Sequence, residues 1–131
     1  MYGSEAKVTS DLINSYAWDT AIVFIQKCGT ESNSSTYSYT AGLSSRSTSA
    51  PQTTGTNILK ATNKVDKQCN IFDMAGNCFE WTTETSSYSF GPCVGRGGFF
   101  SYGNDSCTSY RFTYSTSGAL SNCSFRPLLY L

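Results

Sequence analysis

The 131-residue chain contains no histidine and few charged residues, and its formal net charge at pH 7 is zero. Without histidine, Ser/His/Asp catalysis is excluded and no transition-metal site is expected. Charged residues make up only 14% of the chain, so it lacks the basic surface that nucleic-acid binding requires. These absences direct the search for function towards recognition by neutral side chains.

Long apolar runs are missing as well. No stretch of about 18 consecutive apolar residues occurs, so no membrane span is expected. The first residues, Met1 to Glu5, lack the charged and apolar regions of a signal peptide. We interpret this start as the cut edge of a longer protein or of an expressed fragment. The length fits one domain, which can bury roughly two-thirds of its unfolded surface.

Six cysteines are present, but they follow no metal-binding pattern. No closely spaced Cys-x-x-Cys pair indicates zinc, and the spacings leave many disulfide pairings open. Cys93 and Cys107 fall in expected loops and could pair, although nothing in the sequence requires it. Free thiols are favoured, and no cofactor is expected.

One helix is predicted, from Val8 to Cys28. Apolar residues recur there at spacings near three and four, Ser10 or Thr20 could cap its start, and Gly29 follows its end. The next stretch, Thr30–Thr56, is rich in Ser, Thr and Gly. It predicts an exposed loop with one short edge strand.

The most informative segment is Asn-Ile-Phe-Asp-Met-Ala-Gly-Asn-Cys-Phe-Glu-Trp, residues 70–81. Asp73 and Asn77 flank a short turn whose Gly76 can take a positive φ. Both polar side chains are expected to hold this turn by hydrogen bonds to the backbone. Trp81 is expected to be buried in the core.

Glu80 and three arginines are assigned to the scaffold. Glu80 stands between two aromatic residues in the sequence, so its carboxylate must be exposed or paired. Arg96, Arg111 and Arg126 are expected to tie loops together, since a planar guanidinium makes several hydrogen bonds at once.

Residues 99–123 mix aromatic residues with Ser, Gly, Asn and Thr. This combination is typical of a paratope, in which rigid rings supply contact area and small polar side chains adapt their hydrogen bonds. Tyr110, Phe112 and Tyr114 alternate, so one strand could present them together; exposure is predicted for these three and for Tyr102. The candidate ligand-binding residues are Phe100, Tyr102, Asn104, Asp105, Thr108, Tyr110, Phe112, Tyr114 and Thr116.

Residues 85–131 contain no Lys, Glu, Gln, Met or Trp, although all five occur earlier in the chain. Codons that end in a pyrimidine cannot encode these five residues. A gene segment built from such codons would produce this depletion, and so would a composition rich in Ser and Gly.

Three motifs in order resemble the formylglycine-generating-enzyme (sulfatase-modifying-factor) branch of the C-type lectin fold. They are the 70–81 segment, Arg96-Gly97-Gly98 and the terminal Phe125-Arg126-Pro127. The resemblance covers residues 65–131 well and the first half of the chain loosely. It implies an α+β, loop-rich C-type lectin fold with small antiparallel sheets and one or two helices, formed by residues 1–131 as a single ligand-binding domain.

The segment between the second and third motifs also resembles the variable region of proteins diversified by retroelements, where mutated adenines turn AAC codons into NNC. Such proteins display variable residues on one face of a C-type lectin fold, at a phage tail fibre or on a cell surface. The resemblance implies a receptor-binding, non-enzymatic domain of a phage, prophage or bacterium, at the C-terminal end of a longer protein. Its partner would be a protein or glycan on another cell, not nucleic acid, and a homotrimer of the full-length protein is left open.

The alternative is an oxidase like the formylglycine-generating enzymes themselves. Those enzymes bind copper and activate oxygen with two nearby cysteines after the Arg-Gly-Gly motif. Cys107 stands at the second position and Tyr110-Arg111 follow as in that family, but Tyr102 replaces the first cysteine. A single thiol does not complete the two-thiolate site, so no enzyme activity is expected. A calcium-dependent sugar lectin is not favoured either, because Asn104-Asp105 offers too few oxygen ligands.

Overall fold

The described part of the chain combines one α-helix with short β-strands, which confirms the predicted α+β class. The computed structural model describes residues 9–29, 67–74, 76–100, 108–115 and 117–130. The elements are β1 (Thr9–Leu12), α1 (Ser15–Cys28), β2 (Lys67–Gln68), β3 (Ile71–Phe72), β4 (Phe79–Thr85), β5 (Cys93–Arg96), β6 (Arg111–Tyr114), β7 (Cys123–Phe125) and β8 (Pro127–Tyr130). The predicted Thr30–Thr56 loop lies outside the described residues.

Helix α1 begins at Ser15, later than the predicted Val8. The residues before it form β1, which pairs antiparallel with β8. Asn14 caps the helix in an extended conformation, and its side chain accepts a hydrogen bond of 2.9 Å from the N–H of Ala17. An Asn at this position satisfies one of the free N–H groups of the first turn. The helix therefore starts where strand pairing ends, and the residues predicted to cap it do not.

Gly29 ends α1 as predicted, and its N–H donates to the carbonyl of Ile25 over 2.9 Å. The buried stripe of the helix packs into a small apolar core. That core consists of Ile13, Trp18, Ile22, Ile25 and Met74. Trp18 is fully buried, and its indole N–H donates to the carbonyl of Thr108 over 3.1 Å. Trp81, predicted to be the core tryptophan, is only half-buried.

A four-stranded sheet in the order β6-β5-β4-β7 forms the centre of the described fold. Strand β5 is antiparallel to both neighbours, whereas β7 runs parallel to β4. The sheet is therefore mixed, unlike the predicted antiparallel sheets. The pairs β1-β8 and β2-β3 form two smaller antiparallel sheets.

The 70–81 segment is a series of tight turns followed by β4. Cys69 and Asn70 join β2 to β3 with φ values of 51° and 63°, as a two-residue hairpin with both central φ values positive requires. Gly76 has the predicted positive φ, and Asn77 donates to the Asp73 carboxylate over 3.4 Å. The positive φ of Gly76 is thus confirmed, whereas this hydrogen bond joins the two side chains and not, as predicted, a side chain to the backbone.

Glu80 is buried and paired, which fulfils one of its two predicted alternatives. Arg126 donates from Nε and Nη2 to the two carboxylate oxygens of Glu80, each over 2.7 Å. The same guanidinium donates to the carbonyl of Phe72 over 2.8 Å. Two parallel charge-assisted bonds are the strongest arrangement for this pair, and they fasten β4 to the chain between β7 and β8.

Arg96 and Arg111 join the sheet to the helix. Arg96 is 1% exposed and donates to the carboxylate of Asp19 on α1 and, over 3.1 Å, to the carbonyl of Ser109. Arg111 donates to Glu84 over 2.8 Å, and its Nη2 lies 3.7 Å from Asp19. The Arg111 side chain is 53% exposed, so it is the weaker of the two connections.

Gly97 explains why the turn after β5 needs glycine. Its φ is +76°, and a Cβ built there would lie 2.9 Å from the carbonyl oxygen of Met74 and 3.4 Å from the Trp18 ring. Any larger residue would push the turn off the core. The Arg-Gly-Gly motif therefore serves the scaffold.

Candidate ligand-binding face

Side chains of the central sheet divide into two faces because they alternate along each strand. Arg96 and Arg111 lie on the side of helix α1, where they pair with Asp19 of the helix and with Glu84 of β4. Rings occupy the other side. We call this group the aromatic face; it consists of Phe79, Trp81, Phe99, Phe100, Tyr110, Phe112 and Tyr114.

Phe79 lies at the centre of the aromatic face and is fully buried. Its ring centroid is 5.1 Å from that of Phe99 and 5.2 Å from that of Phe112. Tyr110 and Tyr114 lie further out, at 6.1 and 6.5 Å. Such ring pairs contribute about 0.5–1.5 kcal/mol each beyond the area they bury. The half-buried rings around Phe79 are therefore held in place by packing while part of their surface faces solvent.

Gly95 makes this packing geometrically feasible. It pairs with Trp81 on one side and with Phe112 on the other, in the middle of the sheet. A Cβ at Gly95 would stand 3.4 Å from the Cβ of Phe79. Because glycine leaves this space open, the Phe79 and Phe112 rings make contact across β5.

The structure brings Phe100, Tyr110, Phe112 and Tyr114 of the predicted site into this one face. All four are half-buried rather than fully exposed, because their inner ring surfaces pack towards Phe79 or Phe99. Rings held in this way lose little conformational freedom when a ligand covers them.

Thr108 is the predicted site residue that the structure contradicts. It is fully buried, not exposed, because the chain folds beneath Trp18 to accept the indole hydrogen bond at the Thr108 carbonyl. A side chain without solvent access does not contact a macromolecular ligand. The remaining predicted site residues, and Cys107, lie outside the described residues: Tyr102, Asn104, Asp105 and Thr116.

Exposed rings also occur where the sequence analysis did not place a site. Tyr88 and Phe90, in the loop between β4 and β5, are 59% and 80% exposed, and Phe125 on β7 is 67% exposed. The Tyr88 and Phe90 rings meet edge to face at 6.0 Å. The signal was present in the sequence as alternating serine and aromatic residues at positions 86–90, the same mixture that marks the predicted site.

Hydrogen bonds within the loop fix the positions of Tyr88 and Phe90. The N–H of Tyr88 donates to the Ser86 hydroxyl over 3.1 Å, and the N–H of Gly91 donates to the carbonyl of Tyr88 over 3.0 Å. A Cβ at Gly91 would lie 3.1 Å from the backbone of Thr113. The loop thus packs against β6, beside the aromatic face at Tyr114.

Comparison of the chain with protein-family models, with curated proteins and with solved structures gives no match in any of the three. What the aromatic face does must therefore be inferred from its own geometry.

The described cysteines do not add a reactive centre. All five are free thiols: Cys28, Cys69, Cys78, Cys93 and Cys123. Burial raises the pKa of Cys78, and the nearby Glu80 and Asp73 carboxylates raise it further. Burial and the neighbouring Cys78 raise the pKa of Cys123 to about 11. Both thiols stay protonated at neutral pH, which makes them poor nucleophiles and poor metal ligands.

Within the described ranges, no group of three or more His, Cys, Asp or Glu side chains could hold a metal ion. The helix of the described chain is also too short and too polar to cross a membrane. The aromatic face and the exposed loop beside it remain the strongest candidate site.

Proposed function

We propose that this chain is a retroelement-diversified display domain of C-type lectin type, which recognises a cell-surface macromolecule through its aromatic face. The observation that carries the proposal is the position of residues 110–114. They lie on and beside β6, an edge strand of the central sheet in the described fold, and the rings of Tyr110, Phe112 and Tyr114 stand on the side away from the helix.

Separate locations for scaffold and display residues support the proposal. The fixed contacts of Arg96 run to Asp19, Ser109 and Glu84 on the helix side of the sheet. Phe112 lies on the opposite side of the same strands. Substitutions on the aromatic face can therefore change the surface without breaking the ion pairs that hold the sheet to α1.

The chemistry of the face also suits macromolecular recognition. Tyrosine and phenylalanine rings combine large contact area with few rotatable bonds, and exposed aromatic residues dominate the energetics of many interfaces. Tyr110 and Tyr114 add hydroxyl groups that can donate and accept hydrogen bonds. The Thr113 side chain, between Phe112 and Tyr114 on β6, is exposed towards the other side.

The test is the DNA next to the gene. We expect a reverse-transcriptase gene and a near-copy of the codons for residues 99–123, with adenines in the near-copy aligned to the variable positions. Sequencing the gene from many related isolates should show changes concentrated at Tyr110, Phe112 and Tyr114 and absent at Arg96. Changes spread evenly over the chain, without a near-copy nearby, would overturn the diversification proposal.

A further inference from the structure

An apolar groove of about 350 Å³ opens beside Trp81 at the border of the aromatic face. Four elements contribute to it: Leu12 from β1, Trp81 and Thr82 from β4, Cys93 from β5 and Phe125 from β7. Trp81 and Phe125 are register partners on adjacent strands. The ring of Trp81 also meets that of Tyr114 at 6.0 Å, so the groove is continuous with the aromatic face.

The lining of the groove offers almost no polar groups to a ligand. The Thr82 hydroxyl is already used, because it donates to the carbonyl of Val94 over 3.1 Å and accepts from the N–H of Glu84 over 3.2 Å. The other lining side chains together supply one indole N–H and one thiol. None of the lining residues that the structure describes is charged, so this part of the groove matches an uncharged, apolar occupant.

Building on the proposed function, we propose that this groove is a subsite for one large apolar side chain of a protein ligand. Its volume falls at the small end of the range for ligand pockets, about 300–1,000 Å³, which fits a single indole or phenyl ring. A sugar placed there would bury hydroxyl groups without partners, an unfavourable arrangement. Of the two ligand classes, protein and glycan, the groove therefore selects protein.

Phe125 forms one wall of the groove, and a bound ligand would cover its exposed ring. Its side chain is 67% exposed in the unbound chain, and a ring inserted between it and Trp81 would remove both from water. Anchors of this kind, aromatic side chains in desolvated pockets, carry much of the binding energy at protein interfaces.

The experiment is an NMR titration of the ¹⁵N-labelled protein with indole as the probe. The indole N–H signal of Trp81 should shift and saturate, whereas that of Trp18 should stay fixed, since Trp18 is fully buried and bonded to Thr108. Phe125→Ser should lose the saturable shift. The matched control is Leu129→Ser, which removes a 52% exposed apolar side chain outside the groove lining and should retain it.

Several outcomes would overturn the proposal. The same titration is repeated with methyl glucoside and with methyl galactoside; a shift at Trp81 with either sugar and none with indole would assign the groove to glycans. No shift with any probe would show that the groove is not a subsite. Concentration-dependent dimerisation that Phe125→Ser abolishes and that indole inhibits would assign the groove to a second copy of the chain. Indole binding does not depend on gene diversification, so failure of this inference and failure of the proposed function appear in different experiments.

Discussion

The two sides of the central sheet are held by different kinds of force. On the helix side, Arg96 makes directed contacts with Asp19 and Ser109, and each contact depends on one particular partner. On the aromatic side, Phe79 touches several rings at tilted, stacked and edge-on angles. Directed polar contacts tolerate few replacements, whereas contacts between rings tolerate many. The difference predicts that replacements of buried residues on the helix side cost more stability than replacements on the aromatic side.

The largest expected effect separates the two tryptophans. Trp18→Ala should lower the free energy of unfolding by about 3–5 kcal/mol, since the ring is fully buried and a cavity would remain. Trp81→Ala should cost about half as much, because that ring is only half-buried. Urea denaturation of both variants measures the difference. Equal losses would mean that the aromatic side is as firmly packed as the core.

A second prediction concerns the arginines. Arg126→Ala should lower the free energy of unfolding by about 3 kcal/mol, because it leaves the buried Glu80 carboxylate without its bidentate partner. Arg111→Ala should cost less than about 1 kcal/mol, since its side chain is half exposed. The sequence analysis assigned both arginines to the scaffold, and their exposure now ranks them. Thermal or urea unfolding of the two variants would contradict the ranking if Arg111→Ala proved the more damaging.

The third prediction tests the aromatic face directly. Replacing Tyr110, Phe112 and Tyr114 with serine should leave a folded protein, at a cost of about 1–3 kcal/mol for each ring, because each half-buried ring loses buried apolar area as well as its contact with Phe79. Binding of the labelled protein to bacterial cells that the parent recognises should be lost. Thr113→Ala changes an exposed residue on the other side of the same strand and serves as the matched control.

Two results would break this third prediction. A circular-dichroism spectrum of an unfolded chain would show that the rings belong to the core and not to a display surface. Full cell binding by the folded triple variant would move the site to another surface, with the exposed Tyr88 and Phe90 as the next candidates.

The smallest expected effect depends on pH. The pKa of Cys123 is raised from 9.0 to about 11 in the folded chain, so the folded state favours the protonated thiol. This preference adds to the free energy of unfolding below pH 9, and the added amount is lost as the pH rises towards 11. Relative to Cys123→Ser, the parent should therefore lose stability over this window, by on the order of 1 kcal/mol because the thiol is partly screened by solvent. A constant difference between the two proteins across the window would contradict the raised pKa.

Local chemistry made some of these features predictable from the sequence. Gly76 occupies a turn position whose positive φ favours glycine, and the end of the helix at Gly29 was also placed correctly. A carboxylate between two aromatic residues had to be exposed or paired, and Glu80 is paired. The identity of its partner depends on the way β7 returns beside β4, which no local pattern encodes.

Features that depend on distant parts of the chain were not predictable in the same way. Residues 9–12 carry a helical pattern but form a strand, because β8 pairs with them. Thr108 lies in a polar stretch typical of loops, yet one hydrogen bond from Trp18 fixes it in the interior. Trp18 shares one face of α1 with Ile22 and Ile25 at helical spacing, whereas the half-burial of Trp81 depends on the strands that pair with β4.

The pairing of β1 with β8 has a mechanical consequence. Thr9 and Tyr130 are register partners, so the two ends of the described chain lie side by side. A force that pulls these two residues apart would break the hydrogen bonds between β1 and β8 one residue pair after another. The bonds would therefore not resist the force together.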